Sequence, residues 1–161
     1  MITRFGNRLA RLASMALGAL TASVAVAVVA VAPANAQAAY GSYIGIGPAF
    51  GDGEIGVAIN GRYNILELPI SIRGAAFLGE GSAFVPTISY DYPLNFNTEI
   101  FVGAGVAFAS EGSVMGDGTA FVLQPGVDFL MDNNLVFYGN AVVPIGGDTN
   151  TAVQGGIGYQ F

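Results

Sequence analysis

Large apolar residues alternate with small or polar residues along short runs that fill the chain after its first forty positions. In the run 54–65, for example, Ile55 and Ile59 lie on one face, and Asn60 and Arg62 lie on the other. A period of two residues is typical of a β-strand, because successive side chains point to opposite sides of a sheet. The pattern therefore predicts an all-β fold.

Eight such runs are predicted as strands. They cover residues 43–51, 54–65, 68–78, 83–92, 99–108, 120–129, 135–143 and 153–161. The breaks between them are rich in Gly, Asn, Asp and Pro, which favour turns. These breaks lie at residues 51–53, 67–69, 79–82, 93–97, 111–118, 131–134 and 146–150. Because the connections are of hairpin length, we expect neighbouring strands to be antiparallel.

The two faces of the predicted strands differ in chemistry. One face carries large aliphatic and aromatic residues, and the other carries small residues together with the charges that fall within the strands. These charges are Arg62, Arg73, Asp91, Glu99 and Asp128. The interior of an eight-stranded barrel is just wide enough for ordinary side chains, so the small and polar face fits inside and the aromatic face does not. The sequence therefore predicts an antiparallel up-and-down transmembrane β-barrel whose apolar face contacts lipid.

Outward-facing aromatic residues form two groups near opposite ends of the strands. The first group is Phe50, Phe84, Phe108 and Phe121. The second group is Tyr63, Tyr90, Tyr92, Phe129, Phe137, Tyr159 and Phe161. Two aromatic girdles are typical of a barrel that crosses a bilayer. The plainer explanation is the general preference of aromatic residues for strands.

Three prolines interrupt the apolar face in the middle of predicted strands: Pro48, Pro86 and Pro125. Proline has no backbone N–H and cannot donate to a strand ladder. We therefore expect a bulge or a strand end at each of these positions.

The first segment has the features of a secretory signal peptide. Arg4, Arg8 and Arg11 form a positive region, and the apolar stretch 12–32 follows it. Small residues then fit cleavage near 36/37 or 38/39. We therefore expect a signal peptide over residues 1–38 and the barrel over residues 39–161. The alternative is an uncleaved anchor, because the apolar stretch is just long enough to span a bilayer.

Composition excludes several classes of function. The 161 residues include no Cys and no His, so a disulfide scaffold, a zinc–thiolate site and a histidine base are excluded. After loss of the leader, two arginines and all eleven acids remain, a net charge of −9. An acidic chain without lysine is a poor nucleic-acid binder. No cofactor is expected.

The chain resembles the small eight-stranded outer-membrane barrels of the OmpA/OmpX type. The resemblance rests on the leader, the eight strands, the opening Tyr43-Ile44-Gly45-Ile46-Gly47 and the closing Tyr159-Gln160-Phe161. It implies a location in the bacterial outer membrane, contact with outer-membrane lipid, and insertion by the outer-membrane assembly machinery. In that family a last strand that ends in Phe is the assembly signal, which assigns this role to Tyr159 and Phe161.

The five in-strand charges all fall toward one end of their strands, on the inward face. Buried charges must be paired, so we expect Arg62, Arg73, Asp91, Glu99 and Asp128 to form an interior charge cluster. One hypothesis is a salt-bridged plug, and the other is a narrow charge-lined passage. The passage depends on inward glycines that would leave room for water above the cluster. These glycines are Gly45, Gly47, Gly56, Gly103, Gly105, Gly126, Gly156 and Gly158.

Acidic residues crowd the turns at the other end, which the even strand number would place outside the cell. They are Asp52, Glu54, Glu80, Glu111, Asp117 and Asp148. Oxygen-only loops suit weak Ca²⁺ or Mg²⁺ binding, for which Asp52, Glu54 and Asp117 are weak candidates, or cation bridging to lipopolysaccharide. Solvated loops are the plainer interpretation.

The sequence favours a structural role in membrane integrity, with a narrow pore for small solutes or ions as an open possibility. The alternative is a surface-interaction barrel that binds divalent cations, lipopolysaccharide or a partner through its acidic outer loops. Catalysis is not expected, because the outer-membrane barrel enzymes of similar architecture need a His, and no Cys or Lys is present to replace it.

Overall fold

The computed structural model describes residues 41–65 and 68–161. The expected signal peptide at 1–38 lies outside the described residues. The described chain forms one closed barrel of eight strands in sequence order. Each strand pairs antiparallel with its neighbour in the chain, and the last strand pairs antiparallel with the first. The predicted fold class, an antiparallel up-and-down barrel, is confirmed.

The eight strands are nine to sixteen residues long. They are β1 Tyr43–Gly51, β2 Glu54–Asn64, β3 Ile70–Leu78, β4 Ser82–Pro93, β5 Thr98–Ser113, β6 Gly116–Leu130, β7 Leu135–Thr149 and β8 Ala152–Gln160. A 3₁₀ turn at Asp132–Asn134 joins β6 to β7. In the part of the chain that the structure describes, no helix has the length and apolarity needed to cross a membrane.

The predicted division of each strand into two faces holds in three dimensions. On β2, Ile55 and Tyr63 are 72% and 63% exposed on the outer surface, whereas Asn60 and Arg62 are buried in the interior. The same alternation runs along the other strands. The barrel is therefore apolar outside and carries its strand charges inside, which is the arrangement of a barrel that lies in lipid.

The β1–β2 connection is a two-residue turn, as its Gly-Asp-Gly sequence predicts. Asp52 and Gly53 both have positive φ, at 53° and 75°. Two central residues of positive φ match the right-handed twist of a hairpin, and Asp-Gly is among the pairs that adopt them most easily.

Two connections are shorter than the sequence predicts. The expected breaks at 111–118 and 146–150 are mostly strand, since β5 and β6 are joined by residues 114–115 and β7 and β8 by residues 150–151. The glycines that suggested loops instead allow irregular strand, with positive φ at Gly112, Gly116, Gly118 and Gly147. The ladders shift register at the same places, which is the behaviour of β-bulges.

The expectation of a bulge or strand end at Pro48, Pro86 and Pro125 is wrong. Each proline lies inside a continuous strand and pairs with a neighbour on one side. Toward β8, Pro48 has no paired residue, but the β1–β8 register is the same before and after it. A missing N–H removes a bond toward one neighbouring strand only, so the other ladder keeps the strand in place.

The two-faced barrel predicts how the cost of a charge depends on its depth. Ile46 lies on the outer surface between the two aromatic groups, and Ile55 lies opposite Phe50 at one of them. Ile46→Lys is expected to lower the free energy of unfolding in lipid vesicles by about 2–4 kcal/mol, and Ile55→Lys by about 0–1 kcal/mol. Urea titration of the refolded variants measures both. Equal costs at the two positions would contradict a lipid-facing outer surface.

Candidate functional site

The interior changes in character from one barrel end to the other. We call the end where β1 begins and β8 ends the terminal end, and the opposite end the distal end. Along a strand, the inward side chains pass from charged to polar to apolar toward the distal end. From the terminal to the distal end, this order is represented on three strands by Arg62, Asn60 and Ala58 of β2, by Asp91, Thr87 and Val85 of β4, and by Asp128, Gln124 and Val122 of β6. The candidate site is therefore a stack of three zones.

At the terminal end, the structure brings together all five predicted interior charges. Arg62 contacts Asp91 at 3.1 Å, Glu99 at 2.7 Å and Asp128 at 3.4 Å. Arg73 contacts Asp91 at 3.0 Å and Asp128 at 2.9 Å. All five side chains have no solvent exposure. We call this group the charge cluster.

Strand register places like charges side by side and opposite charges across the lumen. Arg62 lies directly opposite Arg73 in the β2–β3 ladder, and Glu99 lies directly opposite Asp128 in the β5–β6 ladder. Like charges in such positions repel. The repulsion is relieved because the two guanidinium groups cross the lumen to the carboxylates of β4, β5 and β6. The cluster therefore ties together strands that are not neighbours in the sheet.

Tyr43 and Phe101 complete the cluster, and the sequence reasoning did not assign them to it. The Tyr43 hydroxyl donates to Asp128 Oδ1 at 2.9 Å and accepts from Arg73 Nη1 at 3.3 Å. The guanidinium carbon of Arg73 lies 3.4 Å from the centroid of the Phe101 ring, a cation–π contact. Both residues occupy inward-facing positions of the alternating pattern, close to the charged residues, and this is the sequence signal that could identify them.

Two serines extend the network between the arginines and Asp91. Arg62 Nε donates to Ser71 Oγ at 3.0 Å, and Arg73 Nε donates to Ser89 Oγ at 2.9 Å. Ser89 Oγ in turn donates to Asp91 Oδ1 at 2.8 Å, and Ser71 Oγ donates to Asp91 Oδ2. Each serine hydroxyl therefore accepts from a guanidinium N–H and donates to the Asp91 carboxylate.

The three carboxylates are held unequally. Asp91 accepts four hydrogen bonds, two from guanidinium groups and two from serine hydroxyls. Asp128 accepts from Tyr43 and from both arginines. Glu99 contacts Arg62, but among the described residues neither of its oxygens accepts a hydrogen bond. Asp91 is therefore the best-anchored acid of the cluster, and Glu99 is the least anchored.

A zone of neutral polar side chains lies next along the lumen. Thr87 Oγ1 donates to Gln124 Oε1 at 2.6 Å. The amides of Gln124 and Gln154 both donate to Asn140 Oδ1, at 3.1 Å and 2.9 Å. These bonds link β4, β6, β7 and β8 across the barrel.

The zone at the distal end is apolar. Its buried residues are Ala49, Ala58, Ala75, Phe77, Ala83, Val85, Ala107, Val114, Met115, Val122, Val142 and Ala152. Val114 and Met115 come from the tip of the β5–β6 hairpin, which sequence reasoning placed in an outer loop. The lumen of a membrane barrel is ordinarily polar, so this zone departs from the usual pattern.

The inward glycines do not leave the predicted room for water. At each of the eight, an added Cβ would lie within 3.3 Å of another heavy atom. Aromatic rings take part of the space: a Cβ on Gly45 would lie 2.5 Å from the Tyr138 ring, and one on Gly126 would lie 2.4 Å from the Phe101 ring. Backbone of a neighbouring strand takes the space beside Gly47, Gly105 and Gly156.

The six acidic residues predicted at the outer turns all lie at the distal end, and we call them the rim acids. Asp52 accepts a hydrogen bond from Asn150 Nδ2 at 2.8 Å, and Asp117 is exposed. Within the described ranges, no three His, Cys, Asp or Glu side chains form a metal-binding group. Metal binding by Asp52, Glu54 and Asp117 remains a prediction.

The C-terminal aromatic residues lie on the outer surface at the terminal end. Tyr159 is 57% exposed and Phe161 is 74% exposed. The Phe161 N–H donates to the Ser42 carbonyl at 2.9 Å, next to the seam where β8 pairs with β1.

The unequal anchoring of Asp91 and Glu99 predicts unequal effects of two matched substitutions. Asp91→Asn and Glu99→Gln each remove one carboxylate charge, but only the first weakens four hydrogen bonds. We expect Asp91→Asn to lower the free energy of unfolding by at least about 2 kcal/mol, since bonds to charged groups contribute about 1.5–3 kcal/mol each. Glu99→Gln is expected to cost less than Asp91→Asn, because Arg62 keeps its contacts with Asp91 and Asp128. Urea unfolding in vesicles measures both, and a larger loss for Glu99→Gln would contradict this ranking.

The chain is similar in fold to solved structures, whereas the comparisons by sequence found no match. No protein-family model matches the chain, and no curated protein matches it. The crystal structure of Ail, the attachment invasion locus protein of Yersinia pestis, aligns with TM-score 0.50 and 17% identity over 76% of this chain and 99% of that chain. The structure of Ail in a phospholipid bilayer nanodisc aligns with TM-score 0.50 and 17% identity over 74% of this chain and 98% of that chain.

A third structure, of Ail in complex with the heparin analogue sucrose octasulfate, aligns with TM-score 0.48 and 19% identity over 74% of this chain and 97% of that chain. The first two likenesses agree with the closed barrel that the described chain forms. The chain therefore has the fold of the small eight-stranded outer-membrane β-barrels.

Proposed function

We propose that this chain is exported by a signal peptide at residues 1–38 and inserted into the bacterial outer membrane as a closed structural barrel. Its role is to support membrane integrity rather than to conduct solutes. The fold and the apolar outer surface support the location. The closure of the lumen supports the structural role.

One observation supports a closed lumen most strongly. The charge cluster spans the lumen, and none of its five charged side chains is exposed. An ion that crossed here would have to separate guanidinium groups from carboxylates that lie 2.7–3.4 Å away. Separating a buried ion pair leaves an uncompensated charge, which is strongly unfavourable. The apolar zone adds a second barrier, because its alkyl and aromatic side chains cannot replace the water around an ion.

Assembly through the last strand is part of the same proposal. Tyr159 and Phe161 are exposed at the terminal end, beside the seam where β8 pairs with β1. That position leaves both side chains accessible to the outer-membrane assembly machinery.

A second candidate function is surface interaction at the distal rim. Arg62 and Arg73 are the only basic residues from position 41 to the C-terminus, and both are buried in the charge cluster. The six rim acids therefore have no basic side chain to neutralise them. Ca²⁺ or Mg²⁺ could bridge these carboxylates to the phosphates of lipopolysaccharide.

Single-channel recording tests the closed state. The mature chain is refolded, its folding is verified by a gel shift, and it is inserted into a planar bilayer. We expect no discrete openings, because the cluster blocks the lumen. Reproducible openings whose size changes in Arg62→Gln or Arg73→Gln would contradict the proposal and favour the narrow pore.

Lipopolysaccharide capture tests the rim. We expect Mg²⁺ to increase retention of lipopolysaccharide by the refolded barrel, and a chelator to reverse it. The triple variant Asp52→Asn, Glu54→Gln, Asp117→Asn should bind several-fold less, since three of the six rim carboxylates are gone. Asp132→Asn is the matched control, because Asp132 is an exposed acid at the terminal end. Equal loss in the control would refute a role specific to the rim.

A further inference from the structure

The charge cluster contains more acid than base. Three carboxylates, on Asp91, Glu99 and Asp128, face the two guanidinium groups of Arg62 and Arg73, and all five side chains are fully buried. No third basic residue occurs between position 41 and the C-terminus. If every group carried its usual charge, one buried negative charge would have no balancing positive charge. Such a charge is strongly unfavourable, so the cluster must bind one cation or hold one proton.

The side chains that share the terminal end of the lumen with Glu99 provide no further positive charge. The ionisable groups on the other strands are Tyr43 of β1, Arg62 of β2, Arg73 of β3, Asp91 of β4, Asp128 of β6 and Tyr138 of β7. A tyrosine phenol is ordinarily neutral below about pH 10, so Tyr43 and Tyr138 do not change the balance of charge. The excess therefore belongs to the three carboxylates.

Glu99 is the carboxylate on which a proton would disturb the fewest interactions. Asp91 accepts four hydrogen bonds and Asp128 accepts three, and a carboxylate accepts such bonds best when it is ionised. Glu99 accepts none from the described residues, and its contact with Arg62 at 2.7 Å is shared with the other two acids. A proton on Glu99 leaves the hydrogen bonds to Asp91 and Asp128 in place.

Strand register gives a second reason to place the proton on Glu99. Glu99 lies directly opposite Asp128 in the β5–β6 ladder, where two negative charges repel each other. When two carboxylates share a site, one of them tends to keep a proton. Protonation of Glu99 removes the repulsion and leaves Asp128 paired with both arginines.

We propose that the charge cluster is a proton-binding site and that Glu99 carries one proton in the folded barrel near neutral pH. Two guanidinium groups then balance two carboxylates. Loss of the proton in alkaline solution restores the excess negative charge and weakens the interactions that close the terminal end of the lumen. The site couples the stability of the closed barrel to pH, and it would stand whatever role the barrel has in the membrane.

The first experiment detects the proton through its effect on folding. Glutamates of the unfolded chain are largely ionised above about pH 5, so the folded barrel should hold one more proton and its stability should fall as pH rises. From about pH 6 upward, the equilibrium constant for unfolding in lipid vesicles should increase about tenfold per pH unit until Glu99 loses its proton, and then level off. The chain has no His, Cys or Lys, so no other side chain ordinarily titrates between about pH 6 and pH 9.

Two variants assign the pH dependence to Glu99. Glu99→Gln resembles the protonated acid and cannot ionise, so its unfolding constant should change less than about twofold over the same range. Asp132→Asn is the matched control and should keep the wild-type slope, because Asp132 is an exposed acid at the terminal end. A flat wild-type profile, or a slope that Glu99→Gln retains, would overturn the inference. A flat profile with stability that rises on addition of Na⁺ would assign the balancing charge to a metal cation instead.

Infrared spectroscopy of the wild-type barrel is informative even if Glu99→Gln does not fold. Protonated carboxyl groups absorb at a different frequency from ionised carboxylates. The refolded barrel at about pH 6 should therefore show a protonated-carboxyl band that disappears at about pH 9. The band should persist in Asp132→Asn and be absent from Glu99→Gln. A wild-type spectrum without this band would show that all three acids are ionised and would overturn the inference.

Discussion

Two guanidinium groups and three carboxylates lie buried inside the barrel, and the structure depends on the ion pairs between them. A buried charge without a partner is unfavourable by several kcal/mol, so the five residues must meet. They meet across the lumen, because the arginines share one ladder and Glu99 and Asp128 share another. The cluster thus fixes which strands face each other and complements the backbone ladders, which join only neighbours.

The same constraint explains why the barrel is apolar outside. Once the strand charges point inward, strict alternation sends the large aliphatic and aromatic side chains outward, where only lipid can cover them. Ion pairs fill the terminal end of the lumen, and buried apolar side chains, including those of the hairpin tip, fill the distal end. The lumen of the described barrel is therefore filled along its length, and its acidic residues outside the charge cluster lie at the strand ends.

Period-two alternation was sufficient to predict the eight strands, their faces and the five members of the charge cluster. Inward and outward positions alternate along a strand, and the two environments select different residue types. It could not predict that, among the described residues, Asp91 accepts four hydrogen bonds and Glu99 accepts none, since that depends on how side chains cross the lumen. The tip at Val114 and Met115 was assigned to a loop because glycines at positive φ serve turns and bulges equally well. The glycines beside Tyr138 and Phe101 were misinterpreted for a similar reason, since a missing side chain marks close packing as readily as open space.

The most direct test of the cluster is a double-mutant cycle between Arg73 and Asp128, whose side chains are 2.9 Å apart. The single variants Arg73→Met and Asp128→Asn and the double variant are refolded in vesicles, and their free energies of unfolding are compared. If the buried ion network holds the lumen closed, the coupling energy will be at least about 2 kcal/mol, toward the upper part of the range for residues in contact. A coupling energy below about 0.5 kcal/mol would show that the two charges are independent and would contradict the account.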